Sequence, residues 1–105
     1  MSERRIFARK KRRFLVEFFL NGARCTGFTY DVSPTGVFIR AVRLPQPGTS
    51  LSADLHLADG KRIVLKGKVV RAFRVPPGLS RIVPSGFSLR LSDTTEDYYQ
   101  FLASL

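Results

Sequence analysis

The sequence predicts an all-β fold, a six-stranded antiparallel small β-barrel with a short C-terminal helix. Three observations carry this expectation. Apolar and polar residues alternate with period two in one run after another, the pattern of strands with one face buried. Hairpin-type turns, Asn21-Gly22 and Asp59-Gly60, separate the runs. Helical spacing replaces alternation only at the end, where Tyr98, Phe101, Leu102 and Leu105 recur. At 105 residues the chain is large enough for one hydrophobic core and too small for two.

The first strand is Phe14 to Leu20, with Phe14, Val16, Phe18 and Leu20 on one face. Residues 24–32 form the second; Thr26, Phe28, Tyr30 and Val32 are expected to share a face, with Cys25 and Thr29 on the other. A turn containing Pro34 and Gly36 leads to a third strand, Val37 to Ala41. Leu44-Pro45-Gln46-Pro47-Gly48 reads as a rigid surface loop, because proline cannot donate to a ladder. Leu51, Ala53, Leu55 and Leu57 then alternate with polar residues in the fourth strand.

Lys61 to Val75 is a long fifth strand with Ile63, Leu65, Gly67 and Val69 on one face. The inward face switches near Val69-Val70, which calls for a bulge or corner. Val75 to Pro84 is the least structured segment and the candidate mobile loop. Gly86 to Leu91 is the last main strand. Asp93, with Glu96 three residues later, reads as a capping box for a helix over residues 94–104. Such a short helix must bury its apolar stripe to persist. Closure into a barrel also removes the exposed edges that Phe- and Val-rich strands would otherwise present.

Charge is the other strong signal. The formal net charge is +10, and residues 1–13 hold seven Arg or Lys against one Glu. We therefore divide the chain into a basic N-terminal arm, 1–13, and a barrel with its helix, 14–105. The arm points to an anionic partner: nucleic acid, a phosphate-bearing small molecule or an acidic surface. A solvated tail that keeps the protein soluble is the plainer alternative. Cys25 is the single cysteine, so no internal disulfide forms and a reducing compartment fits. No apolar stretch has the length of a signal peptide or a membrane span, and the expected location is cytoplasmic, without membrane insertion.

Catalysis has little support, and we expect no enzyme. His56, the lone histidine, reads as a surface strand residue, and Cys25 as a buried inert thiol. The carboxylates are scattered, and no phosphate-binding loop, nucleophile elbow or metal set occurs. Neither a metal nor a cofactor is expected. Arg5 and Arg9 differ from these. They flank apolar Ile6, Phe7 and Ala8, which suit pinning the arm while the guanidinium groups face a ligand. Guanidinium forks match a phosphate or the O6/N7 edge of guanine, and stack on purines.

The turn Asp31-Val32-Ser33-Pro34-Thr35-Gly36 offers a carboxylate, a hydroxyl and a glycine. Asp31 either closes a local turn or accepts from the N1–H and N2–H₂ donors of guanine. Ser33 can donate to a base or phosphate oxygen. Gly36 either supplies a positive φ or leaves room for a ligand.

Arg5-x-x-x-Arg9 followed by Asp31-x-Ser33-x-x-Gly36 resembles the paired signature of the PilZ domain, the bacterial receptor domain for cyclic di-GMP. The layout of strands and the terminal helix is similar over nearly the whole chain. The resemblance implies an arm that wraps one barrel rim across the Asp31–Gly36 turn. It implies arginines that grip phosphates and guanine Hoogsteen edges, while the Asp31, Ser33 and Gly36 positions receive a guanine. Arg4, before the first motif arginine, is similar to the pattern of domains that bind an intercalated dimer of the ligand. Thr35 departs from relatives that carry a second glycine there.

On this reading the protein binds cyclic di-GMP and relays it to an effector protein through ordering of the arm. Two alternatives stand beside it. One is a small basic barrel that binds single-stranded nucleic acid, which would want exposed aromatics among its basic residues. The Phe residues are expected to be core, which disfavours it. The other is a protein-interaction module of the same fold that needs no ligand.

Overall fold

The computed structural model describes residues 12–79 and 85–105. Its elements are β1 (Leu15–Leu20), β2 (Ala23–Val32), β3 (Gly36–Ala41), β4 (Ser50–His56), β5 (Arg62–Phe73), β6 (Gly86–Ser92) and α1 (Glu96–Ala103). The strands close into a barrel in the order β1-β2-β3-β6-β5-β4. Every neighbouring pair is antiparallel. The predicted class therefore holds.

The turns behave as their residues dictate. Asn21 and Gly22 take φ values of 54° and 80°, the left-handed pair that a two-residue hairpin requires. Inward positions then follow from alternation: Val16 and Phe18 from β1, Leu51, Ala53 and Leu55 from β4, Ile63 and Leu65 from β5. Phe18 meets Phe87 of β6 edge-on, with centroids 5.3 Å apart, in the middle of this core. Burying side chains of this size stabilises the fold by about 1.5–3 kcal/mol each.

Two register shifts bend the barrel. One lies between Val69 and Arg71, where the sequence asked for it, and leaves Val70 exposed. The other lies between Thr29 and Asp31 and was not foreseen. Cys25, Gly27 and Thr29 point inward, yet past the shift it is Val32 that is buried. Val32 thus faces the core while Thr26 and Phe28 face outward, correcting the expectation of one shared face. A single extra residue at Tyr30 is enough to invert the alternation.

The helix is as expected, but its start is not. Asp93 sits at φ 52°, and the cap is Thr95, whose hydroxyl accepts from the Tyr98 N–H. Tyr98 and Phe101 are buried against the barrel, and the Phe101 ring meets Phe14 at 5.1 Å. The expectation that phenylalanines are mostly core needs correction too. Phe18, Phe87 and Phe101 are buried, but Phe28 and Phe38 are half-buried on the outer face, and Phe19 and Phe73 are exposed.

Candidate ligand-binding site

The turn after β2 is built by its own polar groups. The Ser33 N–H donates to the Gly36 carbonyl at 2.9 Å, and the Gly36 N–H donates back to the Ser33 hydroxyl at 3.2 Å. The Ser33 hydroxyl also donates to the Gly36 carbonyl at 3.1 Å. Ser33 is 4% exposed, so in this arrangement its hydroxyl braces the turn. Its carbonyl accepts a buried 2.7 Å bond from the Tyr98 hydroxyl of α1. On the other side the Leu91 N–H donates to the Thr35 carbonyl.

Gly36 has no positive φ, which removes one of the two explanations for it. A Cβ there would lie 3.1 Å from the carbonyl oxygen of Leu89, so glycine lets β3 approach β6 closely. Asp31 is half-buried and lies opposite Phe38 in the β2–β3 ladder. Val37 and Ile39 point inward, so Phe38 and Asp31 share the outer face. The structure thus brings Asp31, Ser33 and Gly36 together at one end of β2 and β3.

Arg4, Arg5 and Arg9 lie outside the described residues. The last two residues of the arm are within them, and Thr29 holds the backbone of Arg12 and of Phe14, the first residue after the arm. Its hydroxyl donates to the Arg12 carbonyl at 2.6 Å and accepts from the Phe14 N–H at 2.8 Å, while its own N–H donates to the Phe14 carbonyl. Thr29 is buried, and it is two residues from Asp31. Arg12 and Arg13 therefore lie against β2, close to the strand end that carries Asp31. The guanidinium of Arg13 lies 4.2 Å from the ring centroid of Phe28, on the same strand. An isolated strand threonine gave no signal of this clamp, because its partners are 15 and 17 residues away.

Beyond the turn, the outer face of β2, β3, β6 and β5 carries further features that the sequence reading missed. The ladder aligns Phe28 with Arg40, Gly86 and Phe73 in one row, and Asp31 with Phe38, Ser88 and Arg71 in the next. Tyr30, Phe38 and Phe73 form a chain of ring contacts with centroids 5.9 and 6.1 Å apart. An open groove of about 840 Å³ adjoins them, lined by Arg12, Arg13, Phe28, Arg40 and Arg74 among others, with no carboxylate among the described lining residues. Only the bulge in β2 and the pairing of distant strands assemble this surface.

The residues set aside as non-catalytic are occupied structurally. His56 Nε2 is 2.8 Å from a Glu17 carboxylate oxygen, which also pairs with Arg24 through its other oxygen. Cys25 is buried. Among the described residues no cluster of three or more His, Cys, Asp or Glu could hold a metal ion, and no helix is long and apolar enough to cross a membrane.

Comparison with known proteins agrees with this architecture. The family model for the PilZ domain matches residues 3–104. Among solved structures, the inhibitor of motility MotI/DgrA of Bacillus subtilis superposes with a TM-score of 0.72 at 22% identity, over 96% of this chain. The chain spans 48% of that protein's length, and the likeness at this identity concerns the fold. No curated protein matches in sequence.

Proposed function

This chain belongs to the PilZ domain family, and from that premise we propose that it is a receptor for cyclic di-GMP that passes the signal to a partner protein. One observation carries the reading: Thr29, two residues from Asp31, holds the Arg12 carbonyl, and Arg12 follows Arg9 by three residues, which supports a meeting of the two halves of the paired signature at one rim. An extended chain covers at most about 3.6 Å per residue. Counting back from Arg12, Arg9 can reach about 11 Å and Arg5 about 25 Å. Asp31 lies within the shorter of these distances from Thr29, since two strand residues span roughly 7 Å.

The roles follow from chemistry. Arg5 and Arg9, with Arg4 beside them, grip phosphates and the guanine O6/N7 edge. Asp31 accepts from the guanine N1–H and N2–H₂ groups, which adenine lacks. Ser33 and Gly36 shape the turn against which the base lies. Arg4 would favour an intercalated ligand dimer over one molecule. A ligand with two phosphates neutralises the crowded arm and orders it, giving a partner protein a new surface. No turnover and no cofactor enter this scheme.

Titration of the purified protein with cyclic di-GMP in a calorimeter tests it; saturable, guanine-specific heat is expected, and its absence overturns the proposal. The outer aromatics among arginines favour a second reading, binding of single-stranded nucleic acid on stacking platforms. Affinity for an oligonucleotide that falls steeply with salt and ignores base identity would select that reading.

A further inference from the structure

We propose that the arginine-lined groove one row along the outer face from Asp31 is part of the same binding site, with Arg40 and Arg74 holding a ligand phosphate and the Arg13–Phe28 pair supporting a purine. This rests on the cyclic di-GMP reading above and adds residues outside the paired signature. Asp31 and Arg40 occupy adjacent rows of the outer face on neighbouring strands, which sets them about 7–8 Å apart along the diagonal. A single ligand bound at Asp31 therefore extends over Arg40 without leaving the sheet.

The groove has the chemistry for it. Arg40 is exposed, and no hydrogen-bond or ion-pair partner holds its guanidinium among the described residues. Arg74 follows the last residue of β5, yet its guanidinium reaches back to donate to the Val42 carbonyl at 3.4 Å, two residues from Arg40. Two cations, one from β3 and one just past β5, thus converge on one mouth, with no carboxylate among the described lining residues to neutralise them. Convergence of this kind is costly through like-charge repulsion unless an anion occupies it. The Arg13 guanidinium lies over the Phe28 ring on an exposed residue, and a purine face is attracted to such a cation. A volume of about 840 Å³ is within the usual range for small-molecule sites.

The test is calorimetric titration of cyclic di-GMP into the wild-type chain and the variants Arg40→Ala, Arg74→Ala and Lys66→Ala. Lys66 lies on β5, three strands round the barrel from β2 in either direction, and controls for net charge. Loss of a charge-assisted contact should weaken binding about ten- to hundredfold for each groove arginine. The Lys66 variant should match the wild type, and all thermal midpoints should stay close to the wild-type value. If the wild type binds and both arginine variants bind equally well, the groove has no part in the site while the receptor reading stands. A Lys66 variant as weak as the other two would make the effect one of overall charge and overturn the groove assignment. A wild-type chain that takes up no cyclic di-GMP removes the receptor reading, and this extension with it.

Discussion

The Tyr98 hydroxyl of α1 donates a 2.7 Å hydrogen bond to the Ser33 carbonyl, joining the C-terminal helix to the candidate site across 65 residues of sequence. The bond is buried, so its loss leaves a carbonyl that water cannot reach. Tyr98→Phe removes the donor and keeps the ring. It should cost about 1–3 kcal/mol of stability, read as a lower urea midpoint with an unchanged slope. Equal midpoints would show that the turn does not depend on the helix.

Arg5 and Arg9 are assigned to ligand and not to the core. Arg5→Ala or Arg9→Ala should abolish measurable binding of cyclic di-GMP in a calorimeter. The thermal midpoint of the free protein should hardly move, since surface substitutions usually stay within about 0.5 kcal/mol. Undiminished binding by both variants would take these residues out of the site.

Asp31 is assigned the guanine edge, so specificity is the informative readout. Asp31→Ala should bind cyclic di-GMP more weakly and lose most of its preference over the adenine analogue. Competition titration of the two cyclic dinucleotides measures this directly. An unchanged preference for guanine would mean that another group reads the base.

Thr29 offers a test of how the arm is anchored. Thr29→Val keeps the shape but leaves the Phe14 N–H and the Arg12 carbonyl without their hydroxyl partner. Stability should fall by about 1–3 kcal/mol. Amide exchange at Phe14 should accelerate, and cyclic di-GMP affinity should drop because the arm is less well aimed. Unaltered exchange at Phe14 would argue that the ladder alone fixes that end.

Much of the fold was legible in the sequence because its signals are local. Asn21-Gly22 signalled a hairpin, which the structure closes with two residues, and the change of inward face near Val69-Val70 announced a bulge. What stayed hidden depends on one residue or on distance. Tyr30 shifts the register of β2 and puts Phe28 and Val32 on opposite faces, which no period-two count reveals. Asp93 and Thr95 both suit a helix cap; only the left-handed backbone at Asp93 decides for Thr95. The motif turn was visible in Asp31, Ser33 and Gly36. Its support from Tyr98, and the alignment of Arg40 with Phe28, exist only after strands far apart in sequence have paired.

Each of the six strands has a hydrogen-bonded neighbour on both sides. Among the described residues, main-chain donors and acceptors are left without a strand partner where a strand outruns its neighbour, as at residues 23–26 of β2 and 70–73 of β5, and such short stretches are the places open to β-augmentation. A partner of the proposed receptor that docks anywhere else on the barrel must read side chains. Its choice of this domain can then drift through surface substitutions alone, leaving the scaffold beneath untouched.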